Sequence, residues 1–216
     1  MNVVLIGEFI TLRPLMKEDA GISLTWRQSK CATLLNSGAS TVTDQAAWIA
    51  RRPASEYNFI IELKSGQAVG MVSLIQIDAV HQRGETSRFL IGEEDAVRGI
   101  PAAVEAMKLI YELAFDHLAL RKVYGVVVSD NSMMLKWQKF LGMKEEGRQR
   151  EHLFINGRFQ DSVMLGMLVD EYRQNALLRM NMLIGIGRKS SQSQPSIRPD
   201  ISGVHIELPI SDKLLA

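Results

Sequence analysis

Scarcity is informative first in this chain. There is one cysteine, Cys31, among 216 residues, which excludes an internal disulfide and suits a reducing compartment. Charge imbalance is nearly absent as well. Twenty-five Lys and Arg stand against 24 Asp and Glu, a net charge of +1, so nothing draws the chain in bulk to nucleic acid or to an anionic membrane. No apolar run approaches the roughly 20 residues of a membrane-spanning helix. The apolar start, Met1 to Ile6, lacks a basic region and a cleavage site, and Glu8 interrupts it early. It is read as no signal peptide, with cytoplasm as the expected location. The four histidines, His81, His117, His152 and His205, share no metal-ligand spacing with Cys31 or with one another, and no metal is expected.

What is present is ordinary globular composition, 46% hydrophobic and 23% charged, in a length that suits one sizeable domain better than two. Phe9 to Arg13 alternates as a strand until Pro14. Asp19 is placed to cap a short helix carrying Leu24, Trp26 and Arg27, and a polar loop runs from Asn36 to Thr41. Thr43-Asp44 opens a second helix with Ala46, Ala47 and Ile49 inward, stopped before Pro53. Asn58 to Leu63 and Ala68 to Ile77 flank a hairpin loop, Lys64 to Gln67. Arg148 to Ile155 and Phe159 to Leu168 form a second hairpin across Asn156-Gly157, a strong turn signal.

Between these hairpins lies the stretch that organises the rest. Glu85 to Gly92 is strand-like, and Arg98-Gly-Ile-Pro-Ala-Ala103 leads into a long amphipathic helix. Ala103, Ala106, Met107, Ile110, Leu113, Ala114 and Leu118 share its apolar stripe, with Glu105, Lys108, Glu112 and Asp116 opposite. Lys122 to Ser129 is almost unbroken apolar, the pattern of a strand buried on both faces. Asp130-Asn131-Ser132 then caps a helix that Gly142 closes. Strand, helix and strand in this order make parallel neighbours with a right-handed crossover. The small basic loop at the start of the crossover helix sits where N–H groups and the helix dipole favour an anion. The expected fold is α/β: three layers around a mixed, mostly antiparallel sheet flanked by helices.

This stretch resembles the GNAT superfamily of acetyl-CoA-dependent N-acetyltransferases, and the resemblance spans roughly Phe9 to Leu168. The family's diphosphate signature is Arg or Gln, two residues, Gly, one residue, then Gly or Ala. Here it reads Arg98, Gly99-Ile100, Pro101, Ala102, Ala103. Pro101 replaces the family glycine and brings no N–H. The family's Asn, eleven residues before a helix-closing Gly, matches Asn131 and Gly142. The resemblance implies acetyl-CoA as cosubstrate, with pantetheine in the gap between the Glu85 and Lys122 strands beside the main chain of Leu90 and Ile91. Arg98, Gly99, Ile100, Ala102, Ala103 and Asn131 complete the implied cofactor site.

Acetyl transfer to an amine needs a polarised thioester carbonyl, a base for the amine and a proton for the leaving thiolate. Glu85 matches a family Glu and is the expected base; the plainer alternative is a surface residue beside Arg83 or Arg88. His81 is the second candidate, by the proton chemistry of imidazole near neutrality. The usual family Tyr, seven residues after the Asn, is Gln138 here, and Gln has no proton to give at neutral pH. Tyr124 is expected to pack in the core. Trp26, Arg27 and Trp48 lie on the two early helices, the part that covers the acceptor in this family. They resemble amino-sugar-nucleotide N-acetyltransferases, since an aromatic face and an Arg fork suit a sugar with a phosphate or carboxylate; the alternative is that both Trp are helix core. The favoured acceptor is therefore an amino-sugar nucleotide. The others are a protein N-terminus of the ribosomal-protein type, a polyamine suggested by Asp78 to Glu85, or no acceptor at all in an inactive coenzyme-A-binding module.

Residues 1–186 are taken as the acetyltransferase domain, including an extra apolar helix from Asp170 to Ile186 with Leu177, Leu178, Met180, Met182 and Leu183. Residues 187–216 are taken as a linker and tail: Ser190 to Pro199 is Ser, Gln and Pro rich, and Val204 to Leu208 alternates like one strand. A homodimer through that helix or tail is expected.

Overall fold

In the computed structural model, residues 3–35 and 38–192 are described. Eight strands form one sheet: β1 (Leu5–Ile6), β2 (Ile10–Pro14), β3 (Tyr57–Leu63), β4 (Ala68–Asp78), β5 (Arg83–Ile91), β6 (Lys122–Val128), β7 (Lys144–Ile155) and β8 (Arg158–Leu168). Their order is β1-β2-β3-β4-β5-β6-β8-β7, and only β5 and β6 run parallel. The helices are α1 (Ala20–Arg27), α2 (Val42–Ala50), α3 (Ala102–Glu112), α4 (Ser132–Leu141), the single turn α5 (Val169–Glu171) and α6 (Leu177–Gln192). This is the three-layer, mostly antiparallel α/β arrangement that the order of the sequence patterns predicts.

Strand alternation divides the apolar residues between two cores. Phe59, Ile61, Val72, Leu74, Val123, Val163, Leu165 and Met167 face α3, α6 and the π-helical turns Leu113–His117 and Tyr172–Ala176. Ile60, Met71 and Leu90 face the other way, against Ala20, Trp26 and Ile49 of α1 and α2. Turn chemistry sets the connections. Asn156 and Gly157 both take positive φ, 54° and 78°, the twist that a two-residue hairpin requires. Gly142 ends α4 at φ 118°, and a Cβ there would crowd Ala176. The backbone thus needs glycine twice over at this point.

Several expectations change. Asp19 does not cap α1 through its side chain: its carboxylate is held by both terminal nitrogens of Arg13 at 2.8 Å and by the Met16 N–H at 2.8 Å. Thr41 caps α2, accepting from the Asp44 N–H, and Gln45 is buried where Ala47 was expected. Glu105, expected on the outer side of α3, is 4% exposed. Its carboxylate accepts N–H groups from Glu8, Phe9 and Ile10 at 2.5–2.9 Å, tying the start of β2 to the helix. Periodicity could not see this, because the partners are backbone amides about 95 residues away. Strand β6 is buried along one face; on the other, Val128 is buried while Tyr124 and Val126 are half-buried. The C-terminal helix runs on past Ile186 to Gln192 with Met180 buried, while Leu178, Met182 and Ile186 are exposed. The strand expected at Val204 to Leu208 lies outside the described residues, as does the stretch from 193 onward.

Candidate functional site

The site begins where two parallel strands part. β5 and β6 pair only at Arg83–Lys122, Gly84–Val123 and Glu85–Tyr124. Beyond Glu85 the strands separate, and β5 carries a bulge at which Arg88 takes φ 53°. A bulge bends its strand and increases the local twist. Here it turns the end of β5 away from β6 and opens a cleft. The left-handed Arg88 is costly for a residue with a side chain, and a polar network holds it. Its guanidinium donates to Glu56 at 2.9 Å and to Asn58 at 2.7 Å, and Ser73 donates to the same Asn58 oxygen. Across the cleft Phe89 stacks on Trp137 of α4 at 4.9 Å, so the helix buttresses the parted strand.

Two cavities meet at this point. The first, about 290 Å³, lies between the parted strands and is lined by Glu85, Arg88, Phe89, Val126, Asn131, Gln138 and His152 among others. The second, about 500 Å³, opens under α1 and α2 and is lined by Arg27, Gln45, Trp48, Glu85, Ser87 and Arg88 among others. Glu85, Ser87, Arg88 and Leu35 stand on the wall common to both. Burial raises the Glu85 carboxyl above its ordinary range, opposed by a hydrogen bond from Ser87 and by the Arg88 charge. A half-buried carboxylate between two cavities, made more basic by desolvation, is suited to take a proton from a group that bridges them.

The cofactor residues expected from the sequence lie at the end of β5, in the turn leading into α3 and at the start of α4. Gly92 donates its N–H to Val69, so ladder alternation turns the Leu90 N–H toward β4 and the Ile91 N–H away from β4. The Leu90 carbonyl abuts Gly70 and its side chain packs in the α1/α2 core. Asn131 lines the cleft and caps α4, accepting the Met134 N–H at 3.1 Å. At the far end, Arg98, Gly99 and Ile100 form the turn before α3, with Gly99 at φ 77°. The Arg98 side chain is 83% exposed and paired with Asp95 at 2.5 Å. Pro101 precedes the first helical residue and its carbonyl accepts from Glu105, so the missing N–H lies outside the first turn. Ala102, Ala103 and Val104 keep the unbonded N–H groups that a helix presents to an anion. These residues fit the diphosphate of acetyl-CoA. α6 reaches this loop, since a Cβ on Gly187 would strike the Pro101 ring.

The acceptor candidates separate. Arg27 lines the second cavity against Gly38, and burial followed by repulsion from Arg88 lowers its pKa. Trp48 also lines it, its ring centroid 4.5 Å from the guanidinium of Arg52 and 5.1 Å from that of Arg88. Trp26 is a correction. It is 1% exposed, pressed on Gly92, with its indole N–H donated to Glu93 at 2.8 Å; a ring so enclosed meets no ligand. His81 is exposed at the tip of the β4–β5 hairpin, where its N–H caps Asp78, and it lines neither cavity. Tyr124 is no core residue: half-buried, it lines an open depression with Glu56, Asp78 and Arg83. Sequence reasoning missed Ser87, Leu35 and His152, which carry no motif and reach the site only through folding. Among the described residues no cluster of three His, Cys, Asp or Glu could hold a metal, and no helix is long and apolar enough to cross a membrane.

Parted parallel strands, a turn with free N–H groups before the crossover helix and an Asn-capped helix beyond lie together on a mixed sheet. Residues 10–144 match the GNAT acetyltransferase domain, more than half of the chain, and the protein belongs to that family. Its relatives include spermidine N(1)-acetyltransferase of Escherichia coli K12, 30% identical over 118 residues, 55% of this chain and 61% of that protein. The chain thus matches rather less than two thirds of that enzyme's length. A Bacillus subtilis protein, YdaF, named as a candidate ribosomal N-acetyltransferase, is 28% identical over 77% of this chain and 95% of its own. Among solved structures, a GCN5-related N-acetyltransferase from Brucella melitensis superposes with a TM-score of 0.72 at 22% identity, covering 85% of this chain and 86% of that one. A chimera of the Vibrio cholerae spermidine N-acetyltransferase SpeG with hSSAT gives 0.70 at 24%, covering 78% and 100%.

Proposed function

We propose that this protein transfers the acetyl group of acetyl-CoA to a primary amine, with Glu85 taking the amine proton at the wall between the two cavities. That shared wall is the observation that carries the reading. Arg98, Gly99 and the first N–H groups of α3 hold the diphosphate, the main chain of Ile91 and the side chain of Asn131 flank the pantetheine, and the amine enters beneath α1 and α2 past Arg27 and Trp48. Acetyl-CoA supplies the activated carbonyl. The chain excludes water from it with Leu35, Phe89 and Val126 and places a base beside it.

Polyamines and protein N-termini are the acceptors that the names of the relatives support, and they replace the amino-sugar nucleotide as the leading classes. The cationic pair Arg27 and Arg88 is what still supports an anionic amine such as the sugar nucleotide. A thiol-release assay with spermidine, an N-terminal peptide and an amino-sugar nucleotide ranks the three. Acetyl-CoA binding by calorimetry with no release on a wide amine panel would leave only a coenzyme-binding module. The exposed Leu178, Met182 and Ile186 on α6 support the homodimer, which light scattering checks.

A further inference from the structure

Acetyl transfer frees a thiolate, and Gln138 cannot protonate it. Its amide oxygen accepts from the Tyr111 hydroxyl at 3.5 Å, and its amide nitrogen contacts the Met134 sulfur. Among the described side chains lining the cleft cavity, Glu85 and His152 carry a carboxyl and an imidazole; a guanidinium such as Arg88 keeps its proton. Glu85 is occupied with the amine. His152 arrives from β7, more than sixty residues along the chain, and its Nδ1 lies 2.7 Å from the Ser162 hydroxyl oxygen. Ser162 is fully buried on β8, opposite Val128 of the cavity wall. The Ser162 hydroxyl donates onward to the Gln149 side-chain oxygen at 3.4 Å. A hydroxyl has one proton to give. In the tautomer in which Nδ1 donates to Ser162 and the serine proton turns to Gln149, Nε2 is the nitrogen left to exchange a proton with the cavity.

We infer that His152 protonates the departing coenzyme A thiolate, an assignment that rests on the acetyltransferase reading above. The amine nitrogen forms a bond to the acetyl carbon, and its surplus proton passes to the Glu85 carboxylate. The carbon–sulfur bond breaks with its electron pair on sulfur. Sulfur takes the Nε2 proton of the His152 imidazolium, which becomes neutral imidazole still donating from Nδ1 to Ser162. Glu85 then returns its proton to water and His152 regains one from water, so an amide and a thiol form with no net gain or loss of protons.

The test varies the leaving group. His152→Gln should lower turnover with acetyl-CoA by about a hundredfold, a typical contribution of a positioned acid. With the acetyl thioester of a thiophenol, whose thiolate departs unprotonated, the same variant should run close to the unmutated protein. Equal losses on both donors, or no loss on either, would overturn the assignment and leave the acetyltransferase reading standing. A second measurement needs no turnover. In the unmutated protein, the His152 ring resonance, identified by its absence in His152→Gln, should move on adding coenzyme A and stay still with desulfo-coenzyme A. A resonance indifferent to coenzyme A would sink the idea even if no amine were ever acetylated.

Discussion

On the α3 side of the sheet, Phe59, Ile61, Leu74, Met107 and Ile110 meet side chains of their own kind, and apolar packing fills the layer. On the α1/α2 side the apolar cluster is smaller, and hydroxyl, amide and charged groups are built into it. Gln45 donates to Ser23, Ser73 donates to Asn58, and Arg88 bridges Asn58 and Glu56. The second cavity opens within this second layer, and the first lies between the parted strands and reaches Met134 and Gln138 of α4. One face supplies stability, and the other holds a bulged strand and a half-buried carboxylate whose local cost the first face offsets. Substitutions on the two faces should therefore report on different quantities.

The largest effect is expected from Ile110→Ala, which empties a fully buried site on the α3 face. It should lower unfolding free energy by about 3–4 kcal/mol in urea titration, the usual cost of such a truncation. Acetyl-CoA affinity of the folded fraction should stay unchanged. A loss of affinity with little loss of stability would break the division between the faces.

Glu85→Gln should do the reverse. Turnover should fall by about a hundredfold, while unfolding free energy at neutral pH holds or rises. Burial raises the folded pKa of Glu85 above its unfolded value. The stabilising contribution is therefore complete below the unfolded pKa and lost as pH climbs through the folded one, and a neutral amide escapes that loss. Urea titration from pH 4 to pH 8 should show the variant gaining on the unmutated protein as pH rises. Parallel curves would remove burial as the cause.

Arg98→Ala should weaken acetyl-CoA binding by about tenfold, the lower end for a charged hydrogen bond because the group is exposed. Melting without ligand should not change, and unchanged calorimetric affinity would take Arg98 out of the site. The smallest effect is expected from Gly187→Ala. Its new Cβ would press on the rigid Pro101 ring, and overpacking of about 1 kcal/mol should shift the turn before α3 and reduce coenzyme affinity a few-fold. If affinity holds while Tm falls, α6 braces the fold without touching the coenzyme loop.

Local signals in the chain were enough for the order of strands and helices, the type of sheet, the Asn156-Gly157 hairpin, the Asn131 cap with its Gly142 stop and the turn at Arg98 that leads into α3. Each depends on a few neighbouring residues, through period, cap or φ preference, and is written where it acts. What lay beyond the sequence depends on partners far apart along the chain. Glu105 reads as a solvated helix residue until β2 brings three amides to it, and Trp26 reads as a ligand platform until Gly92 lets its ring settle into the core. The parting of β5 from β6 follows from a bulge that no residue type announces, and the arrival of His152 beside Asn131 follows from a hairpin folding back over Ser162. Periodicity determined which surfaces are apolar; only closure of the sheet decided which polar groups those surfaces would enclose.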